Sequence, residues 1–228
     1  MSAVEHRLAL QRERAAALAA RVLELLAPFG GDERALDSGC GAGALAFALA
    51  PNVREVVGVD LSADLLAAGR QDAPANVTLV EGDAMALPFD VGEFDLAGCL
   101  RVLHHVHRPE LVVSELARVT RPGGRVLVVD QLADVDPLRA IEVDRFERAR
   151  DASHERLLPD TDIRGYLEAN GLIVTRNEVT QEQRDLERYL DLAAVPEEAR
   201  PRVRALAPAA VYEVEVGWYV ARKPGPRR

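Results

Sequence analysis

Cysteine is scarce in this chain, with only Cys40 and Cys99. Two thiols make no disulfide framework and no cysteine-rich metal site, so no metal is expected. Both fall in predicted strand ends or turns and read as small buried residues of a reduced, cytoplasmic protein. No apolar run approaches the ~18 residues of a membrane span, which argues against a membrane partner. Residues Met1 to Gln11 include Glu5, His6 and Arg7 and no apolar stretch, so no signal peptide is read there. Positive charge is in deficit, at a net −9, and the chain is poor in lysine. An acidic chain lacks the basic footprint of nucleic-acid binding. Its arginines, scattered among Glu and Asp, read as solvated helix faces. Aromatic residues are only 4% of the chain. Phe146, Tyr166, Tyr189, Trp218 and Tyr219 are the candidates to touch an apolar ligand, though core packing accounts for them as well. There is no internal repeat and no low-complexity segment. What is present is 48% hydrophobic residues over 228 positions, enough for one globular domain, 1–228, with a full core. A monomer or homodimer is expected.

Residues 5–27 read as one amphipathic helix, with Leu8, Leu18, Val22, Leu25 and Leu26 near helical spacing, closed by Pro28, Gly30 and Gly31. Strands and helices then alternate. Strands are predicted at 34–38, 55–60, 77–81, 94–99, 125–130, 172–179 and 211–221. Helices are predicted at 43–49, 62–69 (Ser62 as N-cap), 109–120, 137–150, 160–170 (stopped by Gly171), 182–194 and 197–206. Residues 222–228 read as a polar tail. Such alternation implies an α/β fold, a Rossmann-like doubly wound sheet of about seven strands with helices on both faces. The sheet is mostly parallel, with an antiparallel edge strand, because the last strand has no crossover helix after it. Residues 1–30 form an N-terminal helix or lid, 33–132 a binding core, and 133–228 the remaining helices and the last two strands.

Within that pattern, Ala35-Leu36-Asp37-Ser38-Gly39-Cys40-Gly41-Ala42-Gly43-Ala44 is the most informative stretch. It reads as a buried strand that breaks into a glycine turn and opens a helix. Glycines at alternate positions let a ligand lie against backbone N–H groups and the first helical turn. Asp37 stands at the mouth of the turn. Asp60 ends the next strand, where an acid can accept both hydroxyls of a ribose. Ligands in such sheets bind at the carboxyl ends of the strands. That rim holds Asp37, Asp60, Asp83, Leu100 and Asp130, four of them acids.

The glycine turn alone is weak evidence, because Gly39-Cys40-Gly41-Ala42-Gly43-Ala44 also satisfies the dinucleotide pattern G-x-G-x-x-G/A. Glu81-Gly82-Asp83-Ala84-Met85-Ala86-Leu87-Pro88-Phe89 follows the third strand. An acid there can accept from an adenine amino group, or simply cap a turn. Arg121-Pro122-Gly123-Gly124 reads as a tight turn before the fifth strand.

Together these segments resemble the class I S-adenosylmethionine-dependent methyltransferases, and most of all the small group that includes the ubiquinone and menaquinone C-methyltransferases. Leu36–Gly43, Val59-Asp60-Leu61-Ser62, Glu81–Phe89, Phe94-Asp95, Leu103-His104-His105-Val106 and Arg118–Gly124 carry the resemblance, in order and spacing, over residues 33–132. A weaker match runs through Arg150-Asp151-Ala152-Ser153-His154. The resemblance implies S-adenosyl-L-methionine as cofactor. It implies that Gly39, Cys40 and Gly41 let the methionyl part approach the backbone, with Asp37 near its amine directly or through water. Asp60 holds the ribose, Leu61 packs on the adenine, Asp83 and the Ala84 N–H meet the adenine edge, and Leu100 lines the methionyl pocket. Arg101 is a further neighbour, and Arg12 or Arg14 can pair with the cofactor carboxylate or simply be solvated.

Methyl transfer is an in-line displacement that depends on positioning. An acceptor with an acidic O–H or C–H also needs a base, and His104 and His154 are the candidate catalytic residues. His104 can equally cap a helix, and His154 can be a solvated loop residue. No Asn/Asp-Pro-Pro-Tyr/Phe motif follows the fourth strand, no arsenite-type cysteines are present, and no catechol-type metal triad is legible. The implied substrate is a small molecule, an aromatic, quinone-like or polyketide-like acceptor methylated on C or O. The alternatives are an S-adenosylmethionine-binding protein with a non-methylating or regulatory role, and an NAD-dependent oxidoreductase, against which Glu81–Phe89 counts. Residues 131–171 are where acceptor identity is expected to lie.

Overall fold

A computed structural model describes residues 3–225. Residues 1–2, from the stretch read as carrying no signal peptide, and 226–228, from the predicted polar tail, lie outside the described residues. The strands are β1 (Arg34–Ser38), β2 (Glu55–Asp60), β3 (Val77–Glu81), β4 (Phe94–Leu100), β5 (Thr120–Gln131), β6 (Ile173–Asp185) and β7 (Val211–Arg222). The helices are α1 (Ala3–Leu26), α2 (Ala44–Leu49), α3 (Ala63–Arg70), α4 (Pro109–Val119), α5 (Pro137–Arg150), α6 (Asp160–Ala169), α7 (Leu186–Leu192) and α8 (Arg200–Arg204). All seven strands form one sheet in the order β3-β2-β1-β4-β5-β7-β6. The pairs from β3 to β5 are parallel, and β7 runs antiparallel to both β5 and β6 at one side of the sheet.

Apolar side chains fill both faces of the sheet. Leu26, Leu45, Leu49, Phe146 and Leu190 pack on one face. Leu103, Leu116, Ile163, Leu167 and Tyr219 pack on the other. Burying each such leucine stabilises the fold by about 1.5–3 kcal/mol. Polar side chains set the helix starts. The Ser62 hydroxyl accepts from Leu65 N at 3.3 Å and caps α3 as predicted, and Asp136 caps α5 by accepting from Leu138 N at 2.9 Å.

Three predicted boundaries are corrected. The fifth strand starts at Thr120, so Arg121–Gly124 belongs to it rather than to a separate turn. Gly123, at φ +81°, donates to Lys223 O at 2.8 Å, and Lys223 N donates back to Gly124 O at 3.0 Å, which extends the pairing with the chain end. The sixth strand runs to Asp185, and the helix predicted from Glu182 begins only at Leu186. β7 pairs with β6 along its whole length, down to Asp185↔Val211. The Asp185 carboxylate then caps α7 by accepting from Arg188 N at 2.9 Å. Finally, the helix predicted over 197–206 is confined to Arg200–Arg204.

The strand order reverses between β1 and its neighbours β2 and β4, which opens a crevice at the carboxyl ends of these strands. Helix α1 lies across that end of the sheet and packs on α2, α3 and α7. Its Gln11 amide donates to Ala42 O in the glycine turn at 3.2 Å.

Candidate active site

A cavity of about 1320 Å³ occupies the crevice. Gly39, Cys40, Gly41, Asp60, Leu61, Asp83, Ala84 and Leu100, all read from the sequence as binding residues, line it together. The turn after β1 holds Gly39 at φ +71° and Gly41 at φ +54°, a region that glycine enters without strain. The two glycines do different work. A Cβ on Gly39 would meet Val102 Cγ2 at 2.5 Å, so that position serves packing against the loop after β4. A Cβ on Gly41 would meet nothing closer than Leu65 Cδ1 at 3.8 Å, so that backbone faces open space.

Asp60 is fixed at the end of β2 by two backbone donors. Gly41 N reaches Oδ2 at 2.7 Å and Ser62 N reaches Oδ1 at 2.8 Å. The acid thereby ties the glycine turn to the head of α3, and each oxygen retains a second lone pair. Asp83 is held likewise, with Oδ1 accepting from Met85 N at 2.8 Å. Leu61 is 66% exposed, an apolar side chain left bare beside the cavity.

Asp37 is placed differently. It is buried and does not line the cavity. Its Oδ2 accepts from Ala46 N at 2.9 Å, in the first turn of α2, where the N-cap Gly43 has no side chain to offer. Its Oδ1 has no partner. Burial, reinforced by the Asp60 charge, pushes its carboxyl up to about 7 against the pull of the Ala46 N–H. Cys40 and Cys99 are both free and buried, and burial drives their thiols far above the usual range, so neither is a nucleophile.

His104 and His154 do not line the large cavity. They line a smaller one of about 190 Å³ that shares Arg7, Leu10, Arg14, Arg101 and His105 with it. His104 sits in a 3-10 turn after β4, and its Nδ1 is hydrogen-bonded to Asp130 Oδ1 at the end of β5. The carboxylate accepts, so Nδ1 carries a proton and the ring is oriented by that bond. Burial pushes the Asp130 carboxyl up, but the His104 charge and hydrogen bond and the Gln131 N–H outweigh it and hold the group below its usual range. Asp130 Oδ2 also accepts from Leu103 N at 2.7 Å, which fixes the turn. His154 is buried rather than solvated, with Nε2 on Asp144 Oδ1 at 2.9 Å. His105 is half-buried, its ring centroid 4.1 Å from that of His104. Desolvation and the His104 charge lower it to about 4.

The residues offered for other roles are placed as follows. Arg12 pairs with Asp72 at 2.5 Å, and Arg14 lines both cavities with Glu182 at 3.5 Å. Phe146 is core, edge-on to Tyr212. Tyr219 is core too, its hydroxyl donating to Asp160 at 2.8 Å. Tyr166 is only partly buried. Trp218 lines the large cavity and Tyr189 the small one. Glu182 and Arg184 were missed. Both lie in the stretch expected to be helical, and the polar run Glu182-Gln183-Arg184 offers no apolar period that would have found them; its alternation of burial appears only in the folded strand. Arg101, held at φ +59° at the end of β4, donates to Glu182 at 2.5 Å. That region is sparsely populated by non-glycine residues and costs on the order of 1–3 kcal/mol.

Among the described residues, no cluster of three or more His, Cys, Asp or Glu is placed to hold a metal ion, and no helix is long and apolar enough to cross a membrane.

A methyltransferase-domain family model matches residues 36–128. The uncharacterized methyltransferase YcgJ of Bacillus subtilis strain 168 is 36% identical over 129 residues, 55% of this chain and 51% of that one. A demethylmenaquinone methyltransferase of Shouchella clausii is 39% identical over 103 residues, 42% of this chain and 44% of that one. The chain thus spans about half the length of the curated relatives it matches. Among solved structures, the crystal structure of YcgJ superposes with a TM-score of 0.84 at 23% identity, covering 91% of this chain and 98% of that one. The structure of BH2331 from Bacillus halodurans C-125 does so at 0.82 and 28%, covering 90% and 98%.

Proposed function

Given that the chain carries a class I S-adenosylmethionine-dependent methyltransferase domain, we propose that it transfers a methyl group to oxygen or carbon of a small organic acceptor. One observation carries the reading. The glycine turn, Asp60, Leu61, Asp83 and Ala84 line a single cavity at the strand ends.

The residues fit that ligand. The Gly41 backbone faces open space, a cradle that a Cβ would fill. Asp60, oriented by two backbone donors, accepts the ribose hydroxyls with its remaining lone pairs. Leu61 covers one adenine face, and Asp83 with the Ala84 N–H meets the adenine edge. Asp37 acts on the cofactor amine through water, since its carboxylate stands behind the turn. When bound, S-adenosylmethionine supplies a methyl group on a sulfonium, already a good leaving group.

The protein then has two tasks. It aligns the acceptor with the methyl group, which can supply much of the rate. It also removes the acceptor proton. His104 does this through Nε2, because Asp130 holds Nδ1 and fixes the tautomer. His154 braces the loop over His104. Asp144 holds its ring, and Glu155 N donates to His104 O at 2.9 Å. Helix α1 closes the outer wall.

The test is calorimetric titration with S-adenosylmethionine, S-adenosylhomocysteine and NADH, with Asp60→Ala as control, followed by a screen of phenolic and quinol acceptors for methyl transfer. Micromolar binding of both adenosyl ligands, lost in the variant, and turnover with an acceptor are expected. NADH binding without adenosyl binding would overturn the reading. Adenosyl binding with no turnover across the panel would favour the regulatory alternative.

A further inference from the structure

The small inner cavity has a charge pattern that the transfer reaction does not explain. Five arginines line it, Arg7, Arg14, Arg101, Arg150 and Arg184, with one carboxylate, Glu147. The chain as a whole carries a net charge of −9, so this gathering of cations runs against its composition.

The arginines outnumber their ion-pair partners. Arg101 and Arg14 both lean on Glu182, at 2.5 and 3.5 Å. Arg150 and Arg184 both lean on Glu147, at 2.6 and 3.8 Å. Arg7 alone has an acid to itself, Asp151 at 3.6 Å. Five cations therefore share three carboxylates. Asp130, behind the wall, is engaged by His104, Leu103 N and Gln131 N. Asp144 is engaged by His154, Leu157 N and Arg148. Counting Asp130 as a fourth carboxylate still leaves one positive charge over.

Arg184 is the cation this arrangement leaves incomplete, beside Glu147, whose Oε1 also has no hydrogen-bond partner. Arg184 is 3% exposed. Its Nη1 donates to Gln131 Oε1 at 2.5 Å, and its guanidinium lies 4.6 Å from the centroid of the Tyr189 ring. Its Nε has no partner at all. The nearest carboxylate oxygen, Glu147 Oε1, is too far for a hydrogen bond, and Glu147 Oε2 is taken by Arg150. A buried guanidinium with an unused donor and a shared counter-ion is costly unless something else completes it. Its planar fork suits an oxyanion in particular.

We propose that the inner cavity binds an anionic oxygen group of the methyl acceptor, a carboxylate or a phosphate, with Arg184 and Arg101 as its principal contacts. The inference rests on the methyl-transfer reading of the larger cavity. Arg101 stands on the wall common to both cavities, so an acceptor anchored inside is held with its remaining atoms toward the cofactor side. His104, on the same inner wall, is then beside the anchored molecule. The acceptor is in this way narrowed from small organic molecules in general to organic acids or phosphate esters.

The test uses full-length protein saturated with S-adenosylhomocysteine and titrated by calorimetry with benzoate, phenyl phosphate and the neutral isostere benzamide. One anion is expected to bind at least about tenfold more tightly than benzamide, as a hydrogen-bonded charge pair provides. Which anion does so separates a carboxylate from a phosphate site. Arg184→Gln should erase the preference while leaving S-adenosylhomocysteine affinity unchanged. If that buried substitution prevents folding, Arg101→Gln, at a half-buried position, should reduce the preference instead. Benzamide binding as tightly as both anions, or a preference that survives in the folded variants, would overturn the proposal. Anion preference without S-adenosylhomocysteine binding would overturn the methyl-transfer reading and leave the anion site standing.

Discussion

Replacing Asp37 by asparagine should remove a pH dependence of stability that the wild-type fold carries. The side chain lies at the end of β1, fully enclosed, with Oδ2 on Ala46 N at 2.9 Å and Oδ1 unpartnered. Burial first, and the Asp60 charge second, raise its carboxyl from 3.8 to about 7. Between those values the folded chain holds a proton that the unfolded chain has released. Stability is therefore full below pH 3.8, falls as pH rises, and levels off above about 7. A shift of roughly three units corresponds to about 4 kcal/mol, an upper value for one buried carboxyl. Asparagine keeps an oxygen for the Ala46 N–H and never ionises. Urea unfolding followed by circular dichroism, at intervals from pH 4 to 8, measures both proteins. Asp37→Asn should gain on wild type by several kcal/mol across the range, with all the gain below about pH 7. Parallel curves, within about 0.5 kcal/mol, would refute the argument, because a carboxyl that ionises freely in the fold gives no such difference. The same group couples to the ligand. A cationic amine near Asp37 favours its charged form, so adenosyl binding at pH 6.5 should release a proton, seen as a dependence of the calorimetric heat on the buffer.

Other perturbations separate the parts of the site. Asp60→Ala should weaken S-adenosylhomocysteine binding about tenfold to a hundredfold, since it removes the acceptor proposed for the ribose and frees Gly41 N. Gly39→Ala and Gly41→Ala should diverge. The first collides with Val102 at 2.5 Å and should lower stability by about 2–3 kcal/mol in denaturant unfolding, whereas the second should cost about 1 kcal/mol and chiefly weaken cofactor binding. His104→Gln should lower kcat a hundredfold or more with little change in S-adenosylhomocysteine affinity, and Asp130→Asn should follow it in part. His105, lowered to about 4 chiefly by desolvation, should show no imidazole titration by NMR between pH 5.5 and 8. Helix α1 is pinned by exposed pairs such as Arg12–Asp72 and Glu13–Arg188, so hydrogen exchange in α1 should accelerate between 0.05 and 0.5 M salt while β1 and β4 stay protected.

The cofactor half of the molecule was legible because its signals are local. A glycine at φ +54°, an acid closing a strand and a serine capping the next helix each act within a few residues. The Ser62 cap and the bounds of β1, β2 and β3 follow from such contacts. Asp37 shows where locality fails. Its acid character and its strand end were readable, but its partner Ala46 was not, because the bond exists only once the glycine turn folds α2 back over β1. The start of α7 failed for a related reason. Glu182–Arg184 is polar, and polar runs carry no apolar period to distinguish strand from helix. What made it a strand is β7, more than twenty residues further along the chain, which pairs with it down to Asp185↔Val211.

That difference bears on which half of the molecule chooses the acceptor. The matched methyltransferase domain ends at residue 128. Of the residues lining the inner cavity, only Arg101, His104 and His105 fall inside it. Gln131, Glu147, Arg150, His154, Arg184 and Tyr189 come after it, from five separate places in the chain. Taken singly, each of those arginines reads as a solvated charge on an amphipathic element. They are brought under cover because β7 inserts between β5 and β6, which carries Arg184 to within 2.5 Å of Gln131 and sets α5 and α7 around the pair. A cofactor site can be shared across a family because it is written in one continuous stretch with fixed spacing. An acceptor site assembled from distant segments can change one segment at a time without disturbing that stretch. The surplus arginines of the inner cavity are of this second, dispersed kind, Arg7 and Arg14 coming before the matched stretch and Arg150 and Arg184 after it. On that argument, exchanging residues 131–192 with those of a relative should transfer the acceptor preference and leave adenosyl binding where it was. A chimera that kept the original preference would place selectivity back in α1 or the β4 loop.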